Sequence, residues 1–185
     1  MYKTVVFDLD GTLLNTLTDL ADAGNRLCRK YGWPTHERQA YRYFVGNGIP
    51  KLVERLAPAD QRTPAVLEAA LADFKRDYGQ HLRDTTAPYP GIPEMLAKLK
   101  ANGVQLAVFS NKADALAKEV VKDYFGTQYF TIVRGQMTGV APKPAAEGTN
   151  ALLQALHADP ASTLYVGDSN VDVETAHNAN LPCCG

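Results

Sequence analysis

The chain has little with which to cross-link itself. Among its 185 residues are 3 cysteines, Cys28, Cys183 and Cys184, two of them adjacent and one distant. That spacing makes no disulfide framework, and without a Cys-x-x-Cys pair it makes no structural zinc site. A reducing cytoplasm is the expected compartment. Neither sign of charge is in surplus: 19 basic side chains face 20 acidic ones, a formal net charge of −1. No basic excess points to nucleic acid as a partner. Apolar runs last only a few residues, so no membrane span is expected. The N-terminus, Met1-Tyr2-Lys3-Thr4, enters a strand-like run directly, without the basic and apolar segments of a secretory signal. Glycine and proline, 14 and 11 residues, are near ordinary usage, which excludes collagen-like and low-complexity chains. What remains, with 45% apolar and 21% charged residues, is one globular domain or a domain carrying an insertion.

Thr4-Val5-Val6-Phe7-Asp8 is β-branched and apolar and ends in an acid, the pattern of a buried parallel strand. Residues 16–31 repeat apolar side chains at helical spacing, with Thr16 and Asp19 as the expected capping pair. From Thr35 to Arg83 every periodic segment is helical. One spans 36–45, one 50–57, and one starts at Thr63-Pro64 with threonine as cap and proline in the first turn. The last carries the stripe Leu67, Leu71, Phe74, Tyr78 and Leu82. Beyond Pro88 the pattern alternates: helices at 93–101, 113–123, 145–156 and 171–178, strands at 104–109, 130–134 and 163–166, and an apolar run from Leu181. Alternation predicts an α/β fold, a parallel-sheet Rossmann-like core with helices on both faces. The core is expected at 1–14 and 87–185, with an all-helical cap inserted after the first strand at 15–86. The insertion has eleven basic and nine acidic side chains, a balance that suits an anionic ligand.

In such sheets ligands bind at the carboxyl ends of the strands. The first strand ends Asp8-Leu9-Asp10-Gly11-Thr12, and residues two apart in extended chain share a side. Gly11 frees the backbone to turn and is expected to offer its N–H to an anion. A later strand ends Gly167-Asp168, with Asp172 one helical turn on. Carboxylates gathered this way repel one another unless a cation neutralises them. Hard oxygen ligands, few in number, suit Mg²⁺. The histidines, His36, His81, His157 and His177, sit in or at the ends of predicted helices and enter no such cluster.

Together these residues resemble the haloacid dehalogenase superfamily of phosphohydrolases. Asp8-Leu9-Asp10-Gly11-Thr12-Leu13 is similar to its first motif and Ser110-Asn111-Lys112 to the second. Lys143-Pro144 is similar to the third, and Gly167-Asp168-Ser169-Asn170-Val171-Asp172 to the fourth. The helical insertion resembles the family's first cap class. Val45-Gly46-Asn47-Gly48, followed by Leu52-Val53-Glu54-Arg55, resembles the phosphoglycolate phosphatase branch. The resemblance implies a Mg²⁺-dependent phosphatase that hydrolyses a small phosphate monoester, phosphoglycolate first, through an aspartyl-phosphate. It implies Asp8 as nucleophile and Asp10 as general acid and base. Mg²⁺ is then held by Asp8, the Asp10 carbonyl and Asp168, with Asp172 behind them. Gly11, Ser110, Asn111 and Lys143 are expected to hold the phosphoryl group. Arg42, Asn47, Lys51 and Arg55 are cap candidates, Asn47 and Lys51 first among them.

The sequence departs from the family in three places. Asn15 stands where the family usually has an acid, and Ala146 where a second proline often follows the lysine motif. Family members continue past the strand at Cys183-Cys184-Gly185, so the resemblance implies a chain shortened at its C-terminus. Val166, Leu181 and Cys183 are then expected to be more exposed than in a longer sheet, or covered by another chain. Two other readings share the chemistry: a sugar phosphomutase of the same fold, and a receiver-like phosphorylated signalling module.

Overall fold

The computed structural model describes residues 2–185. In chain order its principal elements begin with β1 (Thr4–Phe7), β2 (Leu14–Asn15), α1 (Leu17–Tyr31), α2 (Tyr41–Phe44), α3 (Ile49–Leu56) and α4 (Pro64–Gln80). There follow β3 (Ala87–Pro88), α5 (Ile92–Ala101), β4 (Gln105–Ala113), α6 (Asp114–Phe125) and β5 (Phe130–Gln136). The chain continues with α7 (Ala146–Leu156), β6 (Thr163–Val166), α8 (Asn170–Asn178) and β7 (Cys183–Cys184). Two compact units result, one joining Met1–Leu14 to Pro88–Gly185 and the other comprising Asn15–Ala87.

The first unit is built on a parallel sheet in the order β5-β4-β1-β6-β7. β1 lies between β4 and β6, pairing Phe7 with Val108 on one side and Val166 on the other. All of β1 is buried, as its unbroken Thr-Val-Val-Phe run requires. One face of the sheet packs Val6, Ala107, Phe109 and Tyr165 against Leu152, Leu153 and Leu156 of α7 and Ala176 of α8. Each such fully buried aliphatic side chain contributes about 1.5–3 kcal/mol. This packing fixes the carboxyl ends of β1, β4 and β6 side by side.

In the second unit α1 buries Leu20, Ala21, Gly24, Leu27 and Cys28, and ends at Gly32 in the left-handed conformation. α4 starts as expected, Thr63 accepting from the Val66 N–H with Pro64 in the first turn. Phe74 and Tyr78 are buried on α4 and Leu82 just beyond it.

Several local expectations are corrected. Thr16 makes no side-chain cap for α1. Asp19 instead turns its buried carboxylate to Thr85 and Thr86, accepting from both backbone N–H groups at 2.9 Å and from both hydroxyls at 2.5 and 2.7 Å. The helix expected at 36–45 is a 3₁₀ turn, Arg38–Ala40, followed by the short α2. Asn25 bonds both the N–H and the C=O of His36, at 2.9 Å each, which holds that residue outside any helix. β4 runs on to Ala113, four residues past the expected end, because a register shift carries its pairing on to Gln136 of β5. Leu181 is buried, Val166 half-buried and Cys183 exposed on the edge strand β7. No helix among the described residues is long and apolar enough to cross a membrane.

Candidate active site

Asp8 follows directly from β1, its N–H donating to the Val166 carbonyl at 2.8 Å. Its carboxylate is buried beside Lys143, whose Nζ lies 2.8 Å from Oδ1. That contact is a charge pairing without the angle of a hydrogen bond, so Oδ1 is buried with no directed donor. Burial pushes the Asp8 carboxyl up to about 6, against the pull of Lys143.

Lys143 also donates to Asp172 Oδ1 at 2.7 Å and to the Tyr165 hydroxyl at 3.2 Å. Burial alone would lower the ammonium's pKa, but Asp8, Tyr165 and Asp172 together raise it well above the ordinary lysine range. The loop backbone beneath it is clamped by Asn111, whose Oδ1 accepts from the Lys143 N–H at 2.8 Å and whose Nδ2 donates to the Lys143 carbonyl at 3.2 Å. Asp172 is wholly buried. Its Oδ1 accepts from Lys143 and from Tyr165, and its Oδ2 from the Ser169 N–H at 3.1 Å and hydroxyl at 2.6 Å. Ser169 and Asp172 thereby form the capping box of α8.

Asp168 sits at the mouth of the crevice, accepting from the Thr12 hydroxyl at 3.0 Å. Burial raises its pKa, and Thr12 opposes the rise. Gly11 lies against it with φ +94°, and a Cβ there would fall 2.3 Å from Asp168 Oδ2. The Gly11 N–H is taken by the Leu14 carbonyl at 2.9 Å, so in this arrangement it is not open to an anion as expected. The tight turn after β1 needs that bond. Gly11 serves the site by letting Asp168 approach.

Asp8, Asp168 and Asp172 each present a carboxylate oxygen, and these lie within 4.8 Å of one another. An all-oxygen donor set with one orphaned buried oxygen, Asp8 Oδ1, fits a small hard cation. Asp172 already accepts four hydrogen bonds, which suits it to supporting the cluster from behind. Asp10 stands nearer solvent, its carboxylate oxygens 3.1 and 3.3 Å from Lys112 Nζ. The Ser110 hydroxyl is buried and accepts from the Lys112 N–H at 3.2 Å. In the helical unit Asn47 accepts from Arg55 at 2.9 Å, and Lys51 pairs with Glu54 at 2.8 Å on the surface.

The sequence patterns assign no role to Lys112, Tyr165, Thr12 and Ser169. Three of them carried a signal. Lys112 is two residues from Ser110 in extended chain and shares its side. Ser169-x-x-Asp172 is a capping-box spacing. Tyr165 lies two residues before Gly167 on a strand whose end was already a candidate. Thr12 carried none.

A parallel α/β sheet with buried carboxylates and a buried lysine at the carboxyl ends of its central strands is the architecture of a protein that binds its ligand at the strand ends. The profile of the haloacid dehalogenase-like hydrolases matches residues 5–185, and the chain belongs to that family. Curated relatives named phosphoglycolate phosphatase, a phosphoric monoester hydrolase, align along nearly the whole chain. One from Thiobacillus denitrificans is 32% identical, covering 97% of this chain and 81% of its own. One from Neisseria meningitidis is 33% identical, covering 99% and 79%. A solved structure from Lactobacillus delbrueckii, provisionally named a phosphoglycolate phosphatase, superposes with a TM-score of 0.92 at 28% identity, covering 98% of this chain and 84% of that one. The chain is thus an enzyme of the phosphoglycolate phosphatase-like branch of these hydrolases, and the receiver reading is set aside.

Proposed function

We propose that the protein is a Mg²⁺-dependent phosphatase that hydrolyses a small phosphate monoester, phosphoglycolate first, through a phosphoryl group carried on Asp8. The observation that carries this reading is the pairing of Asp8 with Lys143 inside the acidic cluster of Asp8, Asp168 and Asp172. A carboxylate nucleophile must meet a phosphate dianion, so cancelling charge is the main task of the site.

Asp8 attacks phosphorus, and the ester oxygen leaves with a proton from Asp10. Asp10, now a carboxylate, takes a proton from the water that cleaves the acyl phosphate and returns Asp8. Lys143 and Ser110 hold phosphoryl oxygens, while Asn111 fixes the Lys143 loop. Asp8, the Asp10 carbonyl and Asp168 would hold Mg²⁺, with Asp172 behind them. When bound, the ion supplies the positive charge that lets the two anions approach. Asn47 and Lys51 are the substrate contacts we assign to the helical unit, and the cytoplasm is the compartment its three free cysteines suit.

The test is phosphate release from a panel of small phosphate esters, 2-phosphoglycolate included, with Mg²⁺ and with excess chelator. Release should stop in chelator and resume with added Mg²⁺. Asp8→Asn should form no phosphoenzyme. Asp10→Asn should slow both steps by about 10²–10⁴-fold, yet accumulate phosphoenzyme from nitrophenyl phosphate, whose leaving group needs no proton. Equal labelling of the two variants, read by mass spectrometry, overturns the assignment of roles.

A further inference from the structure

Lys112 is a second buried lysine in the catalytic unit, outside the Lys143 cluster. It is 6% exposed, and its ammonium meets both oxygens of Asp10, at 3.1 and 3.3 Å. The Lys112 side chain is 3% exposed and that of Asp10 23%. The pair is therefore open to solvent on the Asp10 side, while the lysine is shut away from it.

The backbone explains how the lysine gets there. β4 stays extended through Ser110, Asn111 and Lys112, past the register shift that follows Phe109. Alternation sends Ser110 and Lys112 to one side and Asn111 to the other, where it clamps the Lys143 loop. The Ser110 hydroxyl accepts from the Lys112 N–H and pins the start of the lysine. β1 and β4 are neighbouring parallel strands, and Asp10, three residues past the end of β1, meets Lys112 near the end of β4.

We propose that Lys112 is a positioning residue for Asp10: by pairing with both carboxylate oxygens it holds the group that transfers protons aimed into the crevice. The proposal rests on the phosphatase reading and deepens it. A carboxylate on a short side chain at a turn has several rotamers, and only one places an oxygen within reach of a leaving group. Misplacing a catalytic group by about 1 Å costs on the order of 10²-fold in rate. A buried ammonium gripping both oxygens removes those alternatives and keeps its hold through both proton transfers. Before the first transfer, when one Asp10 oxygen carries the proton, Lys112 still donates to the other, carbonyl oxygen. When Asp10 is ionised, the pair is charge-assisted.

The full chain is compared with Lys112→Met, which keeps the length and removes the charge, and Lys112→Arg, which keeps the charge. Two substrates are used with Mg²⁺, nitrophenyl phosphate and an alkyl phosphate. In Lys112→Met the first turnover of nitrophenyl phosphate should still appear as a burst, within about threefold of the wild-type rate. Its steady state should fall about 10²-fold, because water activation needs Asp10 in place. With the alkyl phosphate even the first turnover should fall about 10²-fold. Lys112→Arg should recover most of each loss. Equal loss in the burst and the steady state, or no loss at all, overturns the proposal.

A second measurement does not depend on turnover. With ¹⁵N-lysine labelling, the Lys112 ammonium resonance, assigned by its absence in Lys112→Met, should move in Asp10→Asn. An unmoved resonance overturns the pairing. A wild type that hydrolyses no phosphate ester but shows the moving resonance overturns the phosphatase reading and leaves the Lys112–Asp10 pair standing.

Discussion

Lysine, arginine and aspartate pair in two regions of this molecule under opposite conditions. On the surface of α1 and α4, Arg26 meets Asp77 at 2.8 Å with both side chains about one-third exposed. Lys30 and Arg76 both meet Asp73 nearby, the basic partners more than half exposed. At the strand ends, Lys143 meets Asp8 and Asp172 at 2.8 and 2.7 Å, with side-chain exposures of 2%, 10% and 0%. The distances are alike. What differs is the water. Surface pairs trade one solvated state for another and contribute little. Buried pairs lose hydration on both sides, and their attraction does not repay it unless every group stays matched. The same residue types therefore mark chemistry in one place and decorate a helix face in the other.

Breaking the buried group should give the largest effect. Lys143→Met leaves Asp8 and Asp172 buried without their cation, and such unmatched charges cost about 3–5 kcal/mol. Thermal or urea unfolding at neutral pH should show a loss of that size. A loss below about 1 kcal/mol would mean that water reaches the pair, and the contrast between the regions would collapse.

Removing the nucleophile should act the other way. Burial holds the Asp8 carboxyl at about 6, above the 3.8 of an exposed aspartate. The folded chain therefore binds a proton more readily than the unfolded one between those values. Wild-type stability from this group is fully present below pH about 4 and is lost as pH rises through about 6. Asp8→Asn has no such loss. Without divalent metal it should be more stable than wild type by about 1–3 kcal/mol at pH 7, the gain shrinking towards pH 4. Parallel melts across that range decide the matter, and a gain that grows as pH falls contradicts it.

A cation should relieve the same strain. Mg²⁺ that binds only the folded chain adds about 2.7 kcal/mol at one hundred times its dissociation constant. The melting temperature of wild type should climb with Mg²⁺. Gly11→Ala should lose that climb, since its Cβ would sit 2.3 Å from the Asp168 carboxylate at a φ of +94° that alanine resists. An undiminished climb in Gly11→Ala would separate Asp168 from the metal.

The fold was readable because it rests on periodicity. The buried run of β1, the helical spacing of α1 and α4 and the later alternation all report burial directly. Asp8, Asp10 and Asp168 stand out because they follow strand ends, and Asp172 because it lies one helical turn beyond Asp168. What escaped depended on contacts distant in sequence. Asp19 is a capping residue by spacing, but Thr85 and Thr86, 66 and 67 residues away, compete for its carboxylate and win. The Gly11 N–H meets Leu14, at the start of the two-residue strand β2, and nothing in the spacing announces that the chain folds back so soon. Nothing in the 163–166 strand pattern shows that the Tyr165 hydroxyl lies between Lys143 and Asp172. Side-chain pairing across strands is a tertiary fact, and no local pattern encodes it.

The smallest effect should come from the surface pair that looks best on geometry. Arg26 Nε lies 3.1 and 2.9 Å from the two oxygens of Asp77, while its Nη2 contacts Oδ2 at 2.8 Å, a fork that favours carboxylate. Such geometry raises a surface pair towards the upper end of its range, which is still about 1 kcal/mol. Asp77→Asn keeps the shape and removes the charge, so the loss should be at or below that figure. It should also shrink in 1 M salt, where the screening length is about 3 Å. The penalty of Lys143→Met, shielded from ions by burial, should change little between low and high salt. Measuring both variants in both salts tests the contrast without reference to catalysis. If the Asp77 loss exceeds the Lys143 loss, or if the Lys143 loss is the one that salt removes, then burial is not what distinguishes the two regions.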